Sequence, residues 1–283
     1  MLAVLLAAII QVVYQAATTG DFINKGISLK GGLSLTIFSE KQMGAAEIEN
    51  YLRQSFTKAE ISVRVLGSGG KQTGIIIEAS GVDENELLSS LQDKIGPLSK
   101  DQYTAEEMGS SLGQSFFRET ITTMIFAFVL MGIVVFIYFR NLVPSSFVIL
   151  CAFADIVMPL AVINLLGVKV STAGIAAFLM LIGYSVDTDI LLTTRVLKRK
   201  EGSILVRTLD AMKTGMTMSL TSFAAVVVAF IFTNSETIKQ IMLILAIGLL
   251  FDIVNTWITN AGILRWYLEW KEKKRAGNES QQA

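Results

Sequence analysis

The sequence predicts an α-helical membrane protein, with six transmembrane helices and a small α+β domain between the first two. Three observations carry this. Apolar residues make up 52% of the 283, and the mean hydropathy of +0.55 lies above that of a water-soluble globule. Apolar runs of about 20 residues, the length that crosses the hydrocarbon core, recur six times. Charge is sorted into blocks: Lys, Arg, Asp and Glu crowd residues 20–119, whereas long stretches after Thr120 carry almost none.

The first run, Met1–Ala17, has no basic leader and no clear small-residue cleavage pattern before Asp21, so residues 1–19 read as a retained helix rather than a cleaved signal. Residues 20–119 read as one folded unit. Leu33–Ser39 alternates like a strand and Ala45–Ala59 like an amphipathic helix. Ser62–Leu66 and Gly74–Ala79 read as a hairpin around Gly67–Thr73, and Asp83–Ile95 as a second helix. A closing strand near Gln102–Glu106 completes the order βαββαβ, the ferredoxin-like arrangement.

The remaining spans fall near Thr120–Phe139, Ser145–Leu166, Ser171–Thr194, Met216–Thr233 and Lys239–Tyr267, a five-helix bundle over 120–270 followed by a tail, 271–283. Basic residues in the short loops set the orientation. Arg140 follows the second span; Arg195, Lys198, Arg199, Lys200, Arg207 and Lys213 fill the loop 195–215; Lys271, Lys273, Lys274 and Arg275 follow the sixth. The loops on the other side, near Gly167–Val170 and Asn234–Ile238, hold only Lys169 and Lys239 against Glu236. Both termini are therefore expected in the cytoplasm and residues 20–119 outside it. Within the loop 195–215, Ile204, Leu205, Leu209 and Met212 recur at helical spacing, as in a helix lying at the interface or a solvated linker helix.

Composition excludes several kinds of chemistry. There is no histidine, and the single cysteine, Cys151, sits in an apolar run, which rules out an intrachain disulfide and a disulfide-built secreted scaffold. Gly31-Gly32 and Gly69-Gly70 are not phosphate-loop or dinucleotide fingerprints. No metal, cofactor or catalytic residue is expected. The 24 basic and 24 acidic residues balance, which gives no reason to expect nucleic acid as a partner.

The informative residues are four carboxylates inside apolar spans. Insertion of Asp near a helix centre costs about 2.5–3.5 kcal/mol, so each is a functional candidate. Asp155 lies near the middle of the third span, Asp187 and Asp189 in the later half of the fourth, and Asp252 near the middle of the sixth, none with a basic residue at its own depth. An unpaired carboxyl in an apolar surrounding favours its neutral form, the property a proton relay requires. The plain alternative is helix pairing through a partner such as Asn164, Thr188, Thr221, Asn255 or Asn260. Asp187 and Asp189 are two apart, about 200° around a regular helix, so one faces the bundle interior and the other a second interface. The small residues Ala173, Gly174, Ala176, Ala177, Gly183 and Ser185 predict close helix packing along this span and around Asp187. Arg195 and Lys213 are the cations within reach of these aspartates after helix motion.

Two stretches resemble the SecD/SecF family. Gly26-Ile27-Ser28-Leu29-Lys30-Gly31-Gly32 is similar to its glycine motif after the first helix, with Ser28 where the family often has Asp. Gly183-Tyr184-Ser185-Val186-Asp187-Thr188-Asp189, leading to Arg195 and further basic residues, is similar to the family's fourth-helix signature in its archaeal form. The resemblance covers nearly the whole chain. It implies an RND-like half of six helices that pairs with SecD and assists unfolded polypeptide through a SecYEG-type channel in the lipid bilayer, driven by proton flow. It also places the family's key carboxylate between Asp187 and Asp189, and only Lys213 loosely matches the basic residue of the fifth helix. Two rival readings are half of an RND-type small-molecule or lipid exporter and a non-transporting scaffold for a membrane partner. An outer domain of about 95 residues is small for the first.

Overall fold

The computed structural model describes residues 1–39, 44–68, 71–198, 202–233 and 235–280. Among them, six helical stretches are long and apolar enough to cross a membrane. The first is α1 (Leu2–Thr19), which stops where Gly20 turns left-handed at φ 80° and its N–H donates to Ala16 O. The others are α5 (Ser110–Phe139), α6 (Leu142–Leu165), α7 (Thr172–Lys198), α8 (Ile204–Phe232) and a long final helix. That last element runs as α9 (Glu236–Val254), a π-helical segment Asn255–Asn260, and α10 (Ala261–Ser280).

Between α1 and α5 sits the α+β domain. It comprises α2 (Ile27–Lys30), β1 (Gly32–Phe38), α3 (Ala45–Ser55), β2 (Glu60–Ser68), β3 (Lys71–Ser80), α4 (Glu84–Ile95) and β4 (Tyr103–Met108). The sheet order is β2-β3-β1-β4 with every neighbouring pair antiparallel. Strand periodicity puts Leu33, Leu35 and Ile37 on one face, where they pack under α3 and α4 with Ile48, Leu52, Ile75, Ile77, Leu87 and Leu91. Asp83 caps α4 by accepting from the Asn85 N–H at 2.9 Å.

The other sheet face looks onto the bundle. Ser34, Thr36, Arg64 and Glu78 form one wall of a cavity of about 380 Å³, with Lys169, Ser171, Lys239 and Gln240 opposite. Glu78, 7% exposed, meets Arg64 Nη2 at 2.6 Å and Lys169 Nζ at 3.2 Å. This ion triad ties the sheet to the α6–α7 connection, and Lys239 Nζ donates to Gly67 O on β2.

The chain enters and leaves the domain at one joint. The α6–α7 connection pairs alongside residues 24–26: Gly26 N–H donates to Val170 O at 2.8 Å, and Val170 N–H to Asn24 O at 2.6 Å. The Ser28 hydroxyl accepts from Thr172 N–H at 3.2 Å, at the start of α7. Gln240 on α9 accepts from Ser171 N–H at 3.0 Å and donates to Lys169 O at 2.5 Å. Gly31 (φ 87°) and Gly32 (φ 137°) take left-handed backbone here. A Cβ on Gly31 would run into the backbone of Ser110 and Gly109 at the head of α5, and one on Gly113 would lie 2.9 Å from Gly31 N. The glycine motif is thus the place where domain entry, domain exit and the α6–α7 connection touch.

Several elements differ from the sequence reading. The second span begins at Ser110 rather than Thr120, because the polar turns Ser110–Glu119 continue the helix beyond its apolar part. The helix expected at the interface, from Ile204, is continuous with the fifth span and forms one 29-residue helix. Nothing breaks it: Ser203 caps its start, and Gly215 in its middle is packed against the Trp257 ring. The strand near Gln102–Glu106 runs Tyr103–Met108, and α2 within the glycine motif was not expected. Gly69-Gly70, Arg199, Lys200 and Asn234 lie outside the described residues.

Gly31→Ala is expected to destabilise the detergent-solubilised protein by about 2–3 kcal/mol, combining a disfavoured φ with a backbone collision. Gly20→Ala, also at positive φ but with nothing within 4 Å of the added Cβ, should cost about 1 kcal/mol. Thermal unfolding of the two variants side by side measures the difference.

Candidate functional site

Helix packing brings α6, α7 and the α9–α10 helix together at mid-bundle. There Asp155, Asp189 and Asp252 have no solvent exposure at all, alongside buried Ser185, Thr188, Asn255, Thr256 and Asn260. Each carboxyl comes from a different helix, and each is met by neutral donors of a neighbour.

Asp155 on α6 accepts from the Ser185 hydroxyl of α7 at 2.6 Å and from the Asn255 side-chain amide. Pro159, four residues on, has no N–H to donate, so the Asp155 carbonyl lacks its usual helical partner. Asp252 on α9 lies 3.2 Å from the hydroxyl of Thr188 and 3.2 Å from that of Thr256. Asp189 on α7 accepts from the Thr256 hydroxyl at 3.1 Å and the Asn260 amide at 2.7 Å.

The π-helical segment makes this possible. Asn255, Thr256 and Asn260 all belong to Asn255–Asn260. A π turn widens the helix and re-aims side chains, and such segments gather at functional positions. Asn255 thereby reaches α6 while Thr256 and Asn260 reach α7. Gly215 on α8 accommodates the Trp257 ring, and Gly248 on α9 lies against Leu181 of α7.

The Thr256 hydroxyl is within hydrogen-bond distance of both Asp189 Oδ1, at 3.1 Å, and Asp252 Oδ1, at 3.2 Å. A hydroxyl can accept from one group while donating to another, so Thr256 links the two carboxyls. Among the described residues, every ion pair lies away from this cluster. Among them too, no group of three or more His, Cys, Asp or Glu side chains is arranged to hold a metal ion.

The other candidate residues fall elsewhere. Asp187 is exposed on the outer face of α7, half a turn from Asp189. Gly183, one turn before it, is exposed with nothing within 4 Å of an added Cβ. The close packing expected around Asp187 is therefore centred instead on Gly174, Ala177 and Ser185, which are buried. Arg195 Nη1 donates to the Asp210 carbonyl at 2.9 Å, and Lys213 is exposed on α8. Asn164 holds Asn24 and the Phe22 carbonyl at the joint, and Thr221 bonds back to its own helix. Thr256 escaped the sequence reading, although its place one turn after Asp252 on the same helix pointed to it.

A family model described as "Protein export membrane protein SecD/SecF, C-terminal" matches residues 88–270. The chain belongs to the SecD/SecF family. Among curated relatives, the protein-export membrane protein SecF of Pyrococcus furiosus is 37% identical, the alignment covering 94% of this chain and 88% of the relative. SecF of Methanothermobacter thermautotrophicus is 40% identical over 87% of this chain and 85% of its own. SecF of Haloferax volcanii is 33% identical over 94% and 90%. The crystal structure of SecDF from Thermus thermophilus, described as a translocon-associated membrane protein, superposes with a TM-score of 0.71 at 16% identity. It matches 95% of this chain, which spans 38% of that longer one. That likeness is one of fold, and it places this SecD/SecF-family chain as a six-helix unit with an inserted sheet domain.

Removing a buried donor leaves a carboxyl oxygen unsatisfied, at a cost of about 1–3 kcal/mol. Asn260→Leu is therefore expected to lower the thermal unfolding midpoint of the purified protein clearly, whereas Asp187→Asn should leave it unchanged.

Proposed function

We propose that this chain works as the SecF-type subunit of a SecD–SecF pair that assists movement of unfolded polypeptide through a SecYEG-type channel. In this reading it is a transport component rather than an enzyme. Coupling to the proton gradient runs through Asp155, Asp252 and Asp189, with Thr256 bridging the last two. Lys and Arg in the loops on the far side of the bundle support placing both termini in the cytoplasm and the sheet domain outside it.

The observation that carries the reading is the set of three wholly buried carboxyls, each from a different helix and each met by neutral donors. For helix pairing alone, Asn would serve as well and insert more cheaply. Three proton-binding groups linked by hydroxyls suit a relay, since loading or unloading one changes the hydrogen bonds that join α6, α7 and α9.

The test is the rate at which a pulse-labelled secretory precursor crosses the membrane in cells depleted of the native protein. Asp189→Asn, Asp252→Asn and Asp155→Asn are each expected to slow export about tenfold or more at unchanged protein level and SecD association. Asp187→Asn should export at the normal rate. Normal export by all of the buried-site variants would mean that the carboxyls only pair helices, and the scaffold reading would then stand.

A further inference from the structure

Asp189 is satisfied on one side only. Its Oδ1 takes both Thr256 and Asn260, while its Oδ2 is buried without a hydrogen-bond partner. Two other buried polar atoms, one on the next turn of α7 and one on the residue after Thr256, share that condition: Thr193 Oγ1 and Trp257 Nε1. Buried polar groups are partnered in more than about 90% of cases, and these three stand on residues that are neighbours in the helix packing around Asp189.

Their places in the helix packing are adjacent. Thr193 is one turn after Asp189 on α7, which puts the two side chains on one face with Cβ atoms about 5–6 Å apart. Trp257 immediately follows Thr256, the residue bonded to Asp189, and packs with Leu192 and Val196, which flank Thr193 along α7. Thr193 is 0% exposed and Trp257 7%. The three atoms offer one carboxyl oxygen, one hydroxyl that both donates and accepts, and one N–H donor. That is the partner set of a single water molecule, which needs two to four polar neighbours.

We infer that Asp189 Oδ2, Thr193 Oγ1 and Trp257 Nε1 bind one water, and that Thr193 with this water carries protons between Asp189 and the far side of the bundle. The inference rests on the relay reading of Asp189 proposed above. The order along α7 supports the direction: Ser185 serves Asp155, Thr188 serves Asp252, then come Asp189 and Thr193. Each step moves away from the sheet domain. Among the described residues, the next polar contact in that direction is the Val196 carbonyl, which accepts from half-buried Arg207. In each transfer one proton moves along a hydrogen bond while another is released at the next oxygen, so no charge or atom is left over.

Two measurements on the intact chain in its native membrane test this. The first is export rate: Thr193→Val, which keeps the shape but removes the hydroxyl, is expected to slow export about tenfold, while Thr193→Ser stays within twofold of the native rate. Slow export by both Asp189→Asn and Thr193→Val, with rescue by Ser, supports the inference. Slow export by Asp189→Asn with a normal Thr193→Val overturns it and leaves the relay reading standing; a normal Asp189→Asn overturns both. The second is hydration: Thr193→Cys in a Cys151→Ala background should react with a small hydrophilic thiosulfonate, at least about tenfold faster than Cys151 does in the native chain, since a thiolate forms readily only in contact with water. A Cys at 193 as inert as Cys151 overturns the water site, whatever the export rates show.

Discussion

Three carboxyl groups buried in an apolar bundle, with no ion-pair partner among the described residues, set the terms for everything around them. Each has to be met by hydrogen-bond donors, and in an apolar bundle most of those donors come from the packed helices themselves. That requirement explains why α6, α7 and the α9–α10 helix meet where they do, with Ser185, Thr188, Asn255, Thr256 and Asn260 all turned inward. It also explains the interruption of the last helix. A regular α-helix would present fewer of these side chains to two different neighbours, and the π-helical segment Asn255–Asn260 distributes them between α6 and α7.

The same helices are tied to the sheet domain at their opposite ends. Ser171 and Thr172 start α7 at the joint, and Gln240 in the second turn of α9 holds the α6–α7 connection through both its oxygen and its amide. The helices that supply Asp189 and Asp252 are therefore both tied to the joint beside the domain. The Ser171–Gln240 contacts join α7 to α9, and the Glu78 triad joins the same connection to the sheet.

Much of this was legible in the residues. Apolar runs gave all six spans, because crossing a bilayer demands an unmistakable length of hydrocarbon-compatible sequence. Alternation at Leu33–Ser39 and helical spacing at Ala45–Ala59 gave the sheet domain its order, since one face of each element is buried. The ends were harder to place. Ser110–Glu119 is polar enough to read as part of the outer domain and Ile204–Lys213 as a separate helix, yet a helix once nucleated continues through polar turns when nothing stops it. At the site, intramembrane cost singled out the three buried carboxyls together with Asp187, and the 200° separation implied that Asp187 and Asp189 face different ways. Which of them faces inward depends on how α7 is rotated against α6 and α9, a matter of tertiary packing that local spacing does not encode. The π-helical segment was illegible for a similar reason: its residues form an ordinary helix by propensity, and only the demands of Asp155 and Asp189 favour the wider turn.

The joint at the glycine motif has a topological consequence. Because the backbone at Gly31 touches the backbone at Ser110, the chain departs from the bundle and returns to it at nearly one point. Everything between is a side branch whose two stems stand together, and the helices beneath need make no adjustment for its length. Such an arrangement lets evolution enlarge, trim or replace the branch as a module while the membrane core keeps its packing, as insertions between close-lying ends generally allow.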